Sequence, residues 1–163
     1  MISHQADDRE LLLQYQRGNN ASFEILLKRH REKVFSSIYF LVRDRELAED
    51  IFQDTFVKVI NTLRSGRYQE EGKFLPWVVR IAHNLVIDHF RKEKQMPKLR
   101  DKEDYSIFDR MKNAEKNSHD LLVDDQQKTI LREMVSELPY EQREVLIMRI
   151  YGDMSFRDIA KAT

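Results

Sequence analysis

The chain has 163 residues, enough for one modest core or two small ones, and balances 28 Lys and Arg against 28 Asp and Glu for a formal net charge of zero. That balance argues against a protein that coats nucleic acid unaided, so any nucleic-acid argument must rest on local charge asymmetry. The lack of cysteine excludes disulfides, thiol catalysis and cysteine-based zinc sites, and no apolar run approaches the ~20 residues a membrane span requires.

Four glycines and three prolines, with 41% hydrophobic and 34% charged residues, predict a soluble protein of helices with short breaks. The opening MISHQADDRE has neither the basic start nor the apolar stretch of a signal peptide, which predicts a cytoplasmic protein. Asp7, Asp8 and Glu10 begin the first helix, where carboxylates favour the helix dipole. Leu12, Leu13 and Tyr15 follow, and Gly18 stops it. Asn19 and Asn20 can cap a second helix carrying Phe23, Leu26, Leu27, His30, Val34, Ile38 and Leu41 at helical steps. Its other side, Lys28, Arg29, Arg31, Glu32 and Lys33, reads as a solvated face.

A turn at Arg43–Arg45 leads into a third helix capped by Asp44, with Leu47, Ile51, Phe52, Phe56, Val59, Ile60 and Leu63 as its packing stripe. The opposite side sets Asp44, Glu46, Glu49, Asp50 and Asp54 against Arg45 alone, interrupted by Gln53 and an outward Val57. By spacing alone this is a solvated acidic face. Residues 64–73 form a loop with Gly66 and Gly72.

The fourth helix, from Phe74 to Lys94, organises the chain. Val78, Ile81, Ala82 and Leu85 form an apolar stripe with Trp77 at its edge. Arg80, Asn84, Ile87 and Arg91 form a second line, two cations and an amide around one isoleucine. Guanidinium groups suit phosphates, and an amide carrying both donor and acceptor suits a base edge. Pro76 falls in the first turn, where a missing N–H costs little. Arg91, Lys92, Lys94, Lys98, Arg100 and Lys102 then face only Glu93 and Asp101, a basic run suited to solvent or to phosphate.

Between Gln95 and Asp120 the apolar period fails, which predicts a flexible linker. Periodicity returns at Leu121 and runs through Ile130, Leu131, Met134, Val135 and Leu138. Pro139 separates this helix from YEQREVLIMRIYG, and Ser155 caps SFRDIAKAT. The predicted fold is all-α: two small helical domains, 1–94 and 121–163, joined by a linker at 95–120. No catalytic constellation is visible. His83 and His89 stand about 240° apart on a helix and cannot share a metal, and His4, His30 and His119 lack a companion at ligand spacing. Neither a metal nor another cofactor is expected.

The pattern Tyr68-x-x-x-Gly72-Lys73-Phe74-x-x-Trp77-x-x-Arg80-Ile81-Ala82-x-Asn84-x-x-x-Asp88-x-x-Arg91-Lys92 closely resembles the promoter-melting segment of bacterial sigma factors of the extracytoplasmic-function (ECF) group, within the sigma-70 family. Leu47-Ala48-Glu49-Asp50-Ile51-x-Gln53-Asp54-x-Phe56 is similar to that family's core-polymerase-binding helix. Leu138-Pro139-x-x-Gln142-Arg143-Glu144-Val145-Leu146 and Gly152-x-x-Ser155-Phe156-x-x-Ile159-Ala160 look like the start of its C-terminal domain. There the sequence departs from the pattern. It reaches Thr163 after the first helix of the helix-turn-helix, and a leading helix alone cannot place base-reading side chains in the major groove.

The resemblance implies a non-enzymatic subunit that directs bacterial RNA polymerase to promoters. Glu49, Asp50, Gln53, Asp54 and Val57 would meet the polymerase core at its clamp. Tyr68, Lys73, Phe74, Trp77, Arg80, Asn84, Ile87, Arg91 and Lys92 would meet promoter DNA, partly single-stranded, at the proximal (minus-ten) element. One flipped base would be held by the Tyr68–Phe74 loop and Asn84. An anti-sigma factor is a further partner the resemblance allows; membrane insertion is not expected. The competing reading is a sigma-like helical module that binds polymerase or a regulator without promoter activity. An all-helical metal-dependent hydrolase would need acidic and histidine clusters where this chain is apolar.

Overall fold

The computed structural model describes residues 5–69, 71–95 and 125–163. Seven helices and no strand occur among them: α1 (Asp8–Gln16), α2 (Asn20–Val42), α3 (Arg45–Arg64), α4 (Phe74–Gln95), α5 (Asp125–Glu137), α6 (Tyr140–Ile150) and α7 (Phe156–Ala162). The expected linker lies outside the described residues except for Gln95.

Helix starts fall where short polar side chains can accept orphan amides. Asp7 accepts from the Glu10 N–H, Asn19 from Ala21, Asp44 from Leu47 and Ser155 from Asp158. At the end of α2, Arg43 takes a left-handed conformation (φ 55°) and donates its N–H to the Tyr39 carbonyl at 2.7 Å. Helix α1 buries Leu11 and Leu12 rather than Leu13, which stays 44% exposed.

Helices α2, α3 and α4 pack together around Leu26, Val34, Ile38, Val59, Val78 and Val86, all essentially sealed from water, with α1 laid against α2. The buried side of α4 is wider than the expected stripe. It takes in Val79, His83 and Val86 as well as Val78 and Ala82, while Ile81 and Leu85 are only half-buried. The cause is a second neighbour. The stripe read from spacing assumed one packing partner, but α4 is covered from another side by the C-terminal helices.

That contact is varied. Gly152, after α6, lies so close to α4 that a Cβ there would stand 2.9 Å from Val79 Cγ1. Tyr151 stacks on Phe40 of α2 with ring centroids 5.6 Å apart, and Tyr140 meets Phe90 of α4 edge-on at 5.9 Å. Between them, His83 of α4 and Glu144 of α6 form a buried hydrogen-bonded pair. The seam is under-satisfied: Arg43 Nε, His83 Nδ1, the Tyr140 hydroxyl and Arg143 Nε are buried without a hydrogen-bond partner among the described residues. Burial lowers the pKa of both guanidinium groups, and for Arg143 the charge of Arg43 adds to the effect. Burial likewise pushes Tyr140 up to about 12. Among the described side chains of α5, Val135 is buried, whereas Ile130 and Met134, expected inside, are more than half exposed.

Candidate functional site

Two surfaces of opposite charge arise on neighbouring helices. On α3, Ala48, Ile51, Thr55, Phe56 and Val59 face the core, and the Thr55 hydroxyl is satisfied by the Ile51 carbonyl at 2.7 Å. This fixes the helix's rotation and leaves Glu49, Asp50, Gln53, Asp54 and Val57 together on the outside, all exposed. Glu49 meets Arg45 at 3.4 Å, an exposed pair of little energetic weight. The face is therefore a set of weakly compensated carboxylates beside an exposed valine, suited to a basic protein partner.

The second surface begins where the loop enters α4. Gly72 adopts φ 75°, a left-handed turn that favours glycine, and the Lys73 carbonyl then accepts the Trp77 N–H at 3.1 Å. The turn brings Tyr68 against Trp77 with ring centroids 4.2 Å apart and planes tilted by 40°, and Phe74 sits behind both at 6.5 and 6.0 Å. Phe74 is only 3% exposed, so it supports the pair rather than presenting a ring of its own. A cavity of about 410 Å³ opens beside Tyr68 and Trp77, with Arg67, Lys73, Pro76 and Arg80 around it. Across the mouth lie Met154, Asp158 and Lys161 of the C-terminal part. Lys73 Nζ approaches Asp158 Oδ2 at 3.7 Å. Hydrogen bonding with Ser155 first, then the charges of Lys73 and Lys161, hold the Asp158 carboxyl below its usual pKa.

The predicted nucleic-acid residues thus divide into two groups. Tyr68, Lys73, Trp77 and Arg80 line the cavity, with Phe74 buried behind them. Asn84, Ile87, Arg91 and Lys92 lie farther along α4, outside that lining; Ile87 is half-buried and the other three are exposed. Arg80 and Asn84 make no side-chain hydrogen bond or ion pair among the described residues, and Arg91 reaches Asp88 only at 3.9 Å. Arg67 and Pro76 were not picked out as site residues by spacing, because loop geometry decides their place. The three histidines of the described part all find carboxylates: Asp8 for His30, Glu144 for His83 and Glu93 for His89. Two of these partners lie far away in sequence, where no local spacing could show them. Among the described residues, no group of histidines and carboxylates could hold a metal ion, and no helix is long and apolar enough to cross a membrane.

Comparison with known proteins bears on both surfaces. The model of sigma-70 region 2 matches residues 26–96, and that of sigma-70 region 4 matches residues 128–163. The chain belongs to the sigma-70 family. The acidic face of α3 and the α4 surface fall within the region 2 match, while Met154, Asp158 and Lys161 across the cavity fall within the region 4 match. Among similar proteins, the RNA polymerase sigma-H factor of Pseudomonas aeruginosa is 28% identical over 161 residues, covering 96% of this chain and 82% of that one. The ECF RNA polymerase sigma-E factor of Haemophilus influenzae is 21% identical over 98% of this chain and 85% of its own. The RNA polymerase sigma factor CarQ of Myxococcus xanthus is 36% identical over 87 residues, 53% of this chain and 49% of that one. The protein is accordingly a sigma factor related to the ECF group, which directs RNA polymerase to promoters at transcription initiation.

Proposed function

We propose that this sigma factor works in the cytoplasm as a non-enzymatic subunit, with a division of labour between its two charged surfaces. Glu49, Asp50, Gln53 and Asp54, around Val57, dock on the polymerase clamp. The α4 surface engages the minus-ten element, with Arg80, Arg91 and Lys92 on phosphates and Asn84 on a base edge. A base flipped out on melting enters the cavity and stacks on the Tyr68–Trp77 pair, with Lys73 and Arg80 offsetting the charge of its phosphates.

The observation that carries this reading is the cavity itself. A tilted pair of aromatic rings in contact, with Arg67, Lys73, Arg80 and Lys161 set against Glu71 and Asp158 around the cavity, combines a platform for a base with an excess of cations for the backbone that carries it. Asp158 stands against Lys73 in the place a phosphate would take, so promoter entry exchanges one anion for another. An anti-sigma factor would act by covering either face.

The docking half is tested by Asp50→Lys with Asp54→Lys. Both side chains are exposed and point away from the core, so stability should change by no more than about 0.5 kcal/mol per site. The folded double variant should lose binding to polymerase core. Undiminished binding would remove the acidic face from the interface.

A further inference from the structure

We propose that Asp8 and His30 are positioning residues for the aromatic cradle, acting through Phe74. This rests on the reading of that cradle as the place where an unstacked base is held. Asp8 is the first residue of α1 and reaches across to the middle of α2. His30 Nε2 donates to its Oδ2 at 2.7 Å, and Arg29 Nη1 donates to its Oδ1 at 2.8 Å. Arg29 Nη2 also donates to the Ala6 carbonyl at 2.8 Å, so the backbone entering α1 is fixed as well.

The pinned imidazole is not an end point. Its ring lies 5.7 Å from the ring of Phe74, inclined at 53°. Phe74 in turn touches both Tyr68 and Trp77, so an unbroken line of contacts runs from the Asp8 carboxylate to the cavity wall. The chemistry of His30 suits this task. An apolar side chain could fill the same space, but only a ring with a donor can be held at one tilt by a carboxylate. The carboxylate's two oxygens are divided between His30 and Arg29, which fixes the acceptor too. Trp77 is only half-buried, so the position of its ring depends on what lies behind it. Phe74 supplies that backing, and His30 sets where Phe74 rests. A stacking platform gains from such rigidity because the base then meets a surface already in place.

Trp77 is the single tryptophan of the chain, so its emission reports the cradle directly in the free protein. Asp8→Ala and His30→Gln are compared with wild type, with Asp8→Asn as the conservative change and Trp77→Ala as a reference. Asp8→Ala should raise the acrylamide quenching constant of Trp77 about twofold at unchanged helix content. In holoenzyme assembled with polymerase core, it should lower binding of a single-stranded minus-ten oligonucleotide five- to tenfold. Core affinity should stay within about twofold. Asp8→Asn, which keeps an acceptor for His30, should recover most of the oligonucleotide binding. If Asp8→Ala does not fold, His30→Gln carries the same comparison.

Unchanged quenching and unchanged oligonucleotide binding in the folded variants would overturn the proposal. So would losses in core affinity and oligonucleotide binding that run in proportion, which is the behaviour of a purely structural pair. The cradle reading fails separately, if Trp77→Ala holoenzyme binds the oligonucleotide as wild type does. The quenching arm judges Asp8 and His30 without reference to DNA.

Discussion

Replacing Gly152 by alanine should loosen the C-terminal part from α4. A Cβ at this position would stand 2.7 Å from the Met148 carbonyl oxygen, 2.9 Å from Val79 Cγ1 and 3.3 Å from Met154 Cγ. Ordinary contact begins near 3.4 Å, so the first two separations would have to grow by about 0.7 and 0.5 Å. Neither neighbour yields cheaply. The Met148 carbonyl already accepts the Met154 N–H at 3.3 Å, and Val79 is 2% exposed on a helix packed from two sides. Overpacking of this kind typically costs about 1–3 kcal/mol. Alanine regains about 0.4–1 kcal/mol by restricting the unfolded chain. The net expectation is a loss of about 0–2.6 kcal/mol, centred on about 1.3, or about 3–5 °C in melting temperature for a chain this size. Chemical denaturation followed in parallel by circular dichroism and Trp77 fluorescence measures it. The clash with the Met148 carbonyl is internal to the C-terminal part and must distort the end of α6, whereas the clash with Val79 is relieved by moving the C-terminal helices away from α4. Trp77, two residues from Val79, should sense that movement before the helices unfold. A variant as stable as wild type, with unaltered Trp77 emission, would refute the close seating of Gly152 on α4.

Asn84→Ala should cost on the order of 1–3 kcal/mol in open-complex formation on the preferred minus-ten sequence and far less on a base-substituted one. Arg91→Ala should weaken all promoters alike and reduce the salt dependence by about one phosphate contact; an unchanged base preference in Asn84→Ala would sink the base-reading role. Asp8 gives a pH test with a definite sign. Burial alone would raise its pKa, but hydrogen bonds from His30 and Arg29 and their charges outweigh that and bring it below the usual 3.8. A depressed carboxylate contributes stability above its unfolded pKa and loses it as pH falls through the folded value. Asp8→Asn should therefore be about 1–2 kcal/mol less stable near neutrality, and the gap should shrink below about pH 4 in acid denaturation. A gap constant from pH 7 to 2 would contradict the charged role.

The helix boundaries were legible because they depend on neighbours in sequence. Asn19, Asp44 and Ser155 cap helices where their spacing indicated, and Asp7, expected only as one of the carboxylates opening α1, is that helix's cap. The outward set on α3 was legible for the same reason, since one helix with one buried stripe has one opposite face. Helix α4 was harder. Its second packing partner is set by residues fifty or more positions away, so Val79, His83 and Val86 were not foreseen as core and Ile81 and Leu85 were overrated. Resemblance suggested roles for Tyr68 and Trp77, but not the burial of Phe74 or the cavity's lining by Arg67 and Pro76, which follow from how the loop folds back on the first turn of α4. The His30–Asp8 and His83–Glu144 pairs are tertiary facts without a local signal, and the seam's unpartnered polar atoms could be found only from packing.

The most direct test of the central claim is run-off transcription with bacterial polymerase core and a library of promoter fragments. Core alone should give no promoter-specific product. Addition of the chain should give transcripts from a defined subset sharing a minus-ten sequence, and Asp50→Lys with Asp54→Lys should abolish them. A chain that binds core tightly yet yields no promoter-dependent transcript from any fragment would contradict the account.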